Sequence, residues 1–349
     1  MLLKQLNLQN FRNYSSLDFP FEEKVTVLIG ENAQGKTNFL ESIYFLATTK
    51  SVKADRDEEL IKAGESVLHV SGEVSNSEST GLEIAMQLID GKITKKIRVN
   101  GVPRRVSDYA SHLTVVFFTP ENINLVTGSP SLRRYQIDQT LSQVDREYKR
   151  TLSGYEGIIV RKNRVLKSIQ EGLARKDQLT YWTDQQILLG ALLTQKRQQY
   201  FDFINQTEKK FGNFQYIYKP SEVTLERLTE YEDREIASAS SLVGPHRDDF
   251  QFYFETRDLS KYGSRGEQRT AVLDLKFSEV EYIEHILGER PVLLLDDIFS
   301  ELDTSHRQHV IDLAFEQQTI IASVDWDQSL KVALKEAKVV EVTQGQLKM

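Results

Sequence analysis

"LIGENAQGKTN", residues 28–38, is the stretch on which the fold turns. Gly30, Glu31, Asn32, Ala33, Gln34, Gly35, Lys36 and Thr37 satisfy every fixed position of G-x-x-x-x-G-K-[ST]. Val25 to Ile29 reads as an apolar strand and Lys36 to Phe45 as a helix, so the loop has the strand-to-helix setting that the pattern requires. The glycines permit a tight turn and close backbone approach, which lets successive N–H groups and the helix N-terminus face phosphate oxygens. Lys36 is then expected to reach the β- and γ-phosphates of a nucleoside triphosphate, and the Thr37 hydroxyl to ligate Mg²⁺. All eight residues are candidate nucleotide contacts.

A phosphate loop alone does not separate kinases, GTPases, transporters and DNA motors, so the discriminating signal has to come from elsewhere. "RPVLLLDDIFSELD", residues 290–303, places five nonpolar residues before Asp296 and Asp297, the form of a buried strand ending in carboxylates. In phosphate-loop enzymes such a strand lies beside the cradle and its first acid holds the metal, which makes Asp296 the second metal candidate with Thr37. Asp297 is the candidate to orient or deprotonate the attacking water. Upstream, "YGSRGEQRTAVLDLKFSEVEYI", residues 262–283, starts a helix with apolar positions at Val272, Leu275, Val280 and Ile283. Ser264 with Glu267 three positions later forms a capping box. The same helix start is a candidate to meet the γ-phosphate of an ATP held by another subunit, and the two roles are compatible.

Taken in order, GENAQGKT, the S-x-G-x-Q helix start, LLLDD and Ser300-Glu301-Leu302-Asp303 resemble the ATPase head of the ABC and SMC class. Lys36 and Asp296 are 260 residues apart, more than a nucleotide kinase or small GTPase normally allows, with a helical stretch between them. Within that class, "NFRNY", "FFTPENINLVTGSPSLRRYQID", "SLVGPHRDDFQF" and "LLLDDIFSELD" resemble the RecF family of bacterial recombination mediators over nearly the whole chain. The resemblance implies a slow, DNA-stimulated ATPase that dimerises on ATP, binds duplex near single-strand gaps and, with RecR and RecO, helps load recombinase there. It further implies that Arg12 and Asn13 approach the nucleotide phosphates from beside the cradle. Two ATP molecules would each be bound by Lys36 of one subunit and Ser264 of the other.

The match has departures. Arg265 and Glu267 put two charges around Gly266, and Asp297 is a shorter acid than the glutamate more usual in related motors. Ser323 and Asp325 stand where transport ATPases carry a switch histidine, and Glu121 is the nearest polar candidate for the glutamine expected after an early strand.

The expected fold is α/β: a P-loop NTPase head of ABC/SMC type assembled from both chain ends, with an inserted α-helical arm. Residues 1–130 form the N-terminal part of the head, 131–240 the arm, and 241–349 the C-terminal part. From Ser66 to Phe118 the segments "VLHVSGEV", "LEIAMQLID", "KKIRVNG" and "LTVVFF" predict a β-rich layer, with "DG" and "NG" as turn signals. No proline occurs between Pro130 and Pro220. Leu141, Val144, Tyr148, Leu152, Tyr155 and Ile159 form one helical seam there, and Leu189, Leu193, Tyr200 and Phe203 a second, predicting an antiparallel helical hairpin.

Composition narrows the functional classes. No apolar run nears the ~20 residues of a membrane span and the start lacks a signal peptide's order, so the expectation is a soluble chain with a cytoplasmic address and no membrane partner. Zero cysteines exclude disulfides, thiolate metal sites and cysteine nucleophiles. The net charge of -7 argues against a uniformly basic surface but leaves room for local patches. Basic residues on a helix are by themselves a solvated face. Under the resemblance, Arg133, Arg134, Arg161, Lys162, Arg164 and Lys167, with Lys95, Lys96, Arg98, Arg104 and Arg105, become candidate DNA backbone contacts that carry no sequence information. His246, Arg247, Asp248 and Asp249 read as an ion-pair cluster, since one histidine and two adjacent acids are too few ligands for a metal. The alternative function is an ATP-sensing protein scaffold with little hydrolysis and no direct action on DNA.

Overall fold

Both ends of the chain enter one mostly parallel sheet. Its strand order is Gln346–Lys348, Lys338–Thr343, Val25–Ile29, Thr319–Ser323, Val292–Asp296 and Val115–Phe118. The computed structural model describes residues 1–75, 79–324 and 326–348. These fall into two compact units, Met1–Asn122 with Glu279–Met349, and Ile123–Ser278.

In the first unit the strand before the phosphate loop and the acid-tipped strand are not immediate neighbours. Thr319–Ser323 runs between them, parallel to both, pairing Ile321 with Val27 on one side and with Leu295 on the other. Val115–Phe118 also belongs to this sheet, against Val292–Asp296, although the sequence groups it with the preceding strands. Its four residues are all buried, as befits a strand covered on both faces, whereas the antiparallel strands alternate buried and open positions.

Those alternating strands make a second sheet in the order Tyr14–Pro20, Leu2–Phe11, Val67–Ser75, Ser79–Ile89, Lys92–Val99 and Val102–Pro103. The helix Lys36–Thr48 is covered on every side by the core that includes both sheets. Phe39, Leu40, Ile43, Tyr44, Phe45 and Leu46 share one hydrophobic cluster with Leu6, Leu8 and Val70 of one sheet and Leu294 and Ile320 of the other. From Phe39 to Thr48 every residue of this helix is buried, the polar Glu41 and Ser42 included, and it runs about a turn beyond the predicted Phe45. Gly72 allows the close packing, because a Cβ there would lie 2.7 Å from Leu46 Cδ2 and 2.8 Å from the Gln5 carbonyl. The start of the helix, and with it Thr37, is thereby fixed in place.

The second unit holds the helices Pro130–Val144, Arg146–Gln170, Thr180–Gln206 and Leu225–Ser238 and a three-stranded antiparallel sheet of Arg257–Asp258, Asp249–Phe254 and Phe214–Lys219. The apolar seam predicted across residues 141–159 is broken at Asp145, which is extended and caps the second helix by accepting from Tyr148 N. The next two helices are antiparallel: Asp145 meets Lys196 at 2.8 Å, Tyr148 meets Arg197 at 3.0 Å and Lys162 meets Gln186 at 2.8 Å. Residues 241–278 group with this unit because Asp249–Phe254 pairs with Phe214–Lys219.

Two of the expected DNA contacts are interior groups here. Arg133 forks onto Asp249 at 2.6 and 3.0 Å and donates to the Leu125 and Gly128 carbonyls. Lys162, 2% exposed, donates to Gln186 and to Glu235 at 2.7 Å. Of the polar knot, Asp248 is likewise internal, His246 and Asp249 are half-buried and Arg247 is exposed. Asp248 takes Arg197 at 2.7 Å, the Tyr218 hydroxyl and Ser221 N, while Arg197 also bonds Asp138, Tyr148 and the Pro245 carbonyl. His246 bonds Tyr155 and the Ser241 carbonyl, and burial pushes its pKa down to about 4, leaving it neutral at pH 7. Among the described residues no helix is long and apolar enough to cross a membrane.

Lys162→Met alone should destabilise the protein by about 3–5 kcal/mol by stranding the Glu235 carboxylate, and adding Glu235→Leu should recover most of that loss. Urea unfolding of the two variants checks this.

Candidate functional site

Glycines shape the loop at two points where a side chain would collide. Gly30 has φ 151° and Gly35 φ 118°; a Cβ at the first would lie 2.5 Å from the Val342 carbonyl oxygen, and at the second 2.5 Å from Asn13 Nδ2. The loop is gripped from behind by its neighbours. The Gln34 carbonyl accepts from Asn13 Nδ2 at 3.1 Å and from Gly345 N at 2.9 Å, and Gln34 Oε1 accepts from Gln344 N at 2.8 Å. Gln344 and Gly345, both at positive φ, form the turn between the two C-terminal strands.

The open side of the loop faces a cavity of about 240 Å³ lined by Asn32, Ala33, Gly35, Lys36, Thr37, Asn38, Pro120, Glu121, Asp296, Asp297 and Val324. Lys36 Nζ donates back to the Gly30 and Glu31 carbonyls at 2.7 and 2.8 Å. Thr37 Oγ1 lies 2.9 Å from each carboxylate oxygen of Asp296, so the sheet brings the two residues together across the chain. Asp297 follows with φ 49°, its N–H donating to the Ala322 carbonyl and its Oδ1 accepting from Val324 N at 3.4 Å. Left-handed backbone is more accessible to aspartate than to glutamate, which gives a local reason for the shorter acid.

Thr37 and Asp296 suit Mg²⁺, which takes hard oxygen donors and is usually held by one or two carboxylates together with waters and substrate phosphates. Among the described residues no group of three or more His, Cys, Asp or Glu could hold a metal ion. Burial pushes the Asp296 carboxyl above the usual carboxylate range; Thr37 and Lys53 oppose this, while Glu121 and Asp297 add to it. Burial lowers the Lys36 pKa, against the pull of Asp297 and Asp296.

Arg12 and Asn13 do not line the cavity. Arg12 forks onto the buried Glu41 at 2.9 and 3.0 Å and donates to the Glu59 carbonyl, while Asn13 supports Gln34 and accepts from Asn38. Both brace the loop and its helix. Ser264, in the second unit, forms the predicted reciprocal cap, its N–H donating to Glu267 Oε2 at 2.8 Å and its Oγ accepting from Glu267 N at 3.2 Å. The Ser264 N–H, with help from Arg257, holds the Glu267 pKa down at about 2. Ser300 Oγ donates to the Asp297 carbonyl, and Asp303 caps the helix Thr304–Glu316. Ser323 is buried at the end of its strand, and Asp325 lies outside the described residues. Glu121 does reach the cavity, paired with Lys53 at 3.7 Å, and Lys53 also stands 3.9 Å from Asp296. Lys53 belongs to no motif, and its charge alone could not have found it.

The model of the RecF/RecN/SMC N terminal domain family matches residues 2–348. The chain is 35% identical over 369 aligned residues to the DNA replication and repair protein RecF of Bacillus cereus (strain B4264), covering 99% of this chain and 98% of that one. It matches a solved structure of the recombination mediator protein RecF-ATPrS in the RecFOR pathway with TM-score 0.89 and 30% identity, over 99% of this chain and 97% of that one. The corresponding RecF-ATP structure matches with TM-score 0.87 and 29% identity, over 99% and 98%.

Asp296→Asn should stabilise the ligand-free protein at pH 7, because it removes a buried charge whose carboxyl is pushed toward its neutral form. A folded-state pKa raised above the unfolded value means the ionised carboxylate costs stability above that pKa, and the cost vanishes once both states are protonated. The gain should therefore shrink as pH falls through the carboxylate range, which chemical denaturation at pH 7 and pH 4 would show.

Proposed function

The chain belongs to the RecF/RecN/SMC N terminal domain family and within it to the RecF proteins, and we propose that it is an ATP-gated DNA-binding protein of recombinational repair. The observation that carries this reading is the 2.9 Å contact of Thr37 with Asp296, which joins residues 259 positions apart around one cavity. The loop from Gly30 to Thr37 holds the triphosphate of ATP, and Lys36 leaves the Gly30 and Glu31 carbonyls to reach its terminal phosphates. Thr37 and Asp296 would hold Mg²⁺, which when bound neutralises phosphate charge. Asp297 orients the attacking water and takes its proton.

Each ATP is sandwiched between Lys36 of one subunit and Ser264 of another, so ATP joins two copies into a clamp on duplex DNA near single-strand gaps, and slow, DNA-stimulated hydrolysis releases it. RecR and RecO are the partners in loading recombinase, in the cytoplasm. Arg12 and Asn13 act on the nucleotide through the loop they brace. Of the basic residues, Lys96, Arg104, Arg105, Arg161, Arg164 and Lys167 are exposed and best suited to phosphate contacts, whereas Lys95 is paired with Asp57 and Arg98 with Glu83. The proposed head comprises 1–130 and 241–349 and the arm 131–240, although residues 241–278 pack with the arm's strand Phe214–Lys219.

Lys36→Arg should lower ATP turnover by at least about 100-fold and abolish ATP-dependent dimerisation. Ser264→Arg should keep nucleotide binding but lose the dimer in sedimentation with ATP. Turnover that gapped duplex fails to raise would favour the ATP-sensing scaffold instead. Replacing Arg104 and Arg105 by alanine should make the slope of log affinity for duplex against log salt shallower by about 2, measured by fluorescence anisotropy.

A further inference from the structure

Asp296 and Glu121, two carboxylates that line the cavity, share one cation of the chain's own. Lys53 Nζ lies 3.9 Å from Asp296 Oδ2 and 3.7 Å from Glu121 Oε1. The backbone beneath it is pinned. Ser51 Oγ accepts from Lys53 N at 2.9 Å and Ala54 N at 2.7 Å, and donates to Glu41, the carboxylate that also holds Arg12. The side chain is different: it is 38% exposed, and its four methylenes can swing the ammonium away without disturbing the core. Both ion-pair contacts are long, so neither fixes it tightly.

We infer that Lys53 is a resident counter-ion for the metal position, keeping free divalent cations off Asp296 until a nucleotide brings its own phosphate oxygens. Asp296 and Thr37 alone offer few donors, and an approaching divalent ion would meet the Lys53 ammonium beside the same carboxylate oxygen. Phosphate oxygens change the balance in two ways. They add ligands for the ion, and they give the displaced ammonium a new anionic partner. Lys53 thus makes metal binding conditional on nucleotide. The inference rests on the reading of this cavity as a nucleotide site, but the Mn²⁺ comparison that decides it is made without nucleotide.

Mn²⁺ binding to the full-length chain, followed by the loss of the free-ion electron paramagnetic resonance signal, is compared for wild type and Lys53→Met without nucleotide. The expected result is an affinity at least about tenfold tighter in Lys53→Met, from removal of one positive charge next to the site. In the double variant Lys53→Met/Asp296→Asn that gain should vanish. With ADP present, the difference between wild type and Lys53→Met should narrow to about threefold or less. Equal Mn²⁺ affinities in wild type and Lys53→Met without nucleotide would overturn the inference, as would a gain that survives Asp296→Asn. A fluorescent ATP analogue tested on the same samples separates the two claims: failure of wild type to bind it removes the nucleotide reading, while the Mn²⁺ comparison still decides the role of Lys53.

Discussion

The contact between the Thr37 hydroxyl and the Asp296 carboxylate is the point on which the first unit's geometry converges. Thr37 is placed by a helix enclosed in apolar side chains from two sheets, and Asp296 by the end of a strand whose five residues are all buried. Neither partner has room to drift, since displacing the helix would open a void beneath Gly72 and displacing the strand would break its ladders on both sides. A rigid frame of this kind suits an ion that tolerates little departure from its preferred ligand geometry.

The loop, the acid pair and the capping box were legible because each is local, a short run whose residue types dictate backbone shape or hydrogen bonding. Features that depend on distant partners were not. An apolar run such as Thr319–Ser323 announces a buried strand but says nothing of its neighbours, so its place between the loop strand and the acid strand emerges only in the sheet. Val115–Phe118 looks like the strands that precede it and departs from them only in being covered on both faces. Arg133 and Lys162 read as surface cations, since Asp249 and Glu235, which make their burial tolerable, lie far along the chain. Lys53 escaped notice for the same reason. The break at Asp145 was in principle visible, as an aspartate three positions before Tyr148 that serves as a helix cap, but the unbroken apolar seam masked it.

The two units handle charge differently. In the second, Arg197 is almost wholly buried yet has Asp138, Asp248, Tyr148 and the Pro245 carbonyl as partners, so a desolvated guanidinium is matched on every side and locks the helix Thr180–Gln206 to the segment around Pro245. In the first, the charges of the cavity are only partly matched: Asp296 is driven toward its neutral form, and Lys36 rests on carbonyl oxygens. Satisfied networks hold shape, whereas an incompletely satisfied one retains the capacity to bind something else.

The parallel sheet also has a history written into its order. Val25–Ile29 takes its two neighbours from Thr319–Ser323 and Lys338–Thr343, with Val25 opposite Thr319 and Thr26 opposite Lys338. A ribosome makes the loop strand long before either flanking strand, so for most of translation the Lys36–Thr48 helix lacks part of its cover. Contacts of such sequence separation close slowly, and apolar side chains of the helix stay exposed until the last strands emerge.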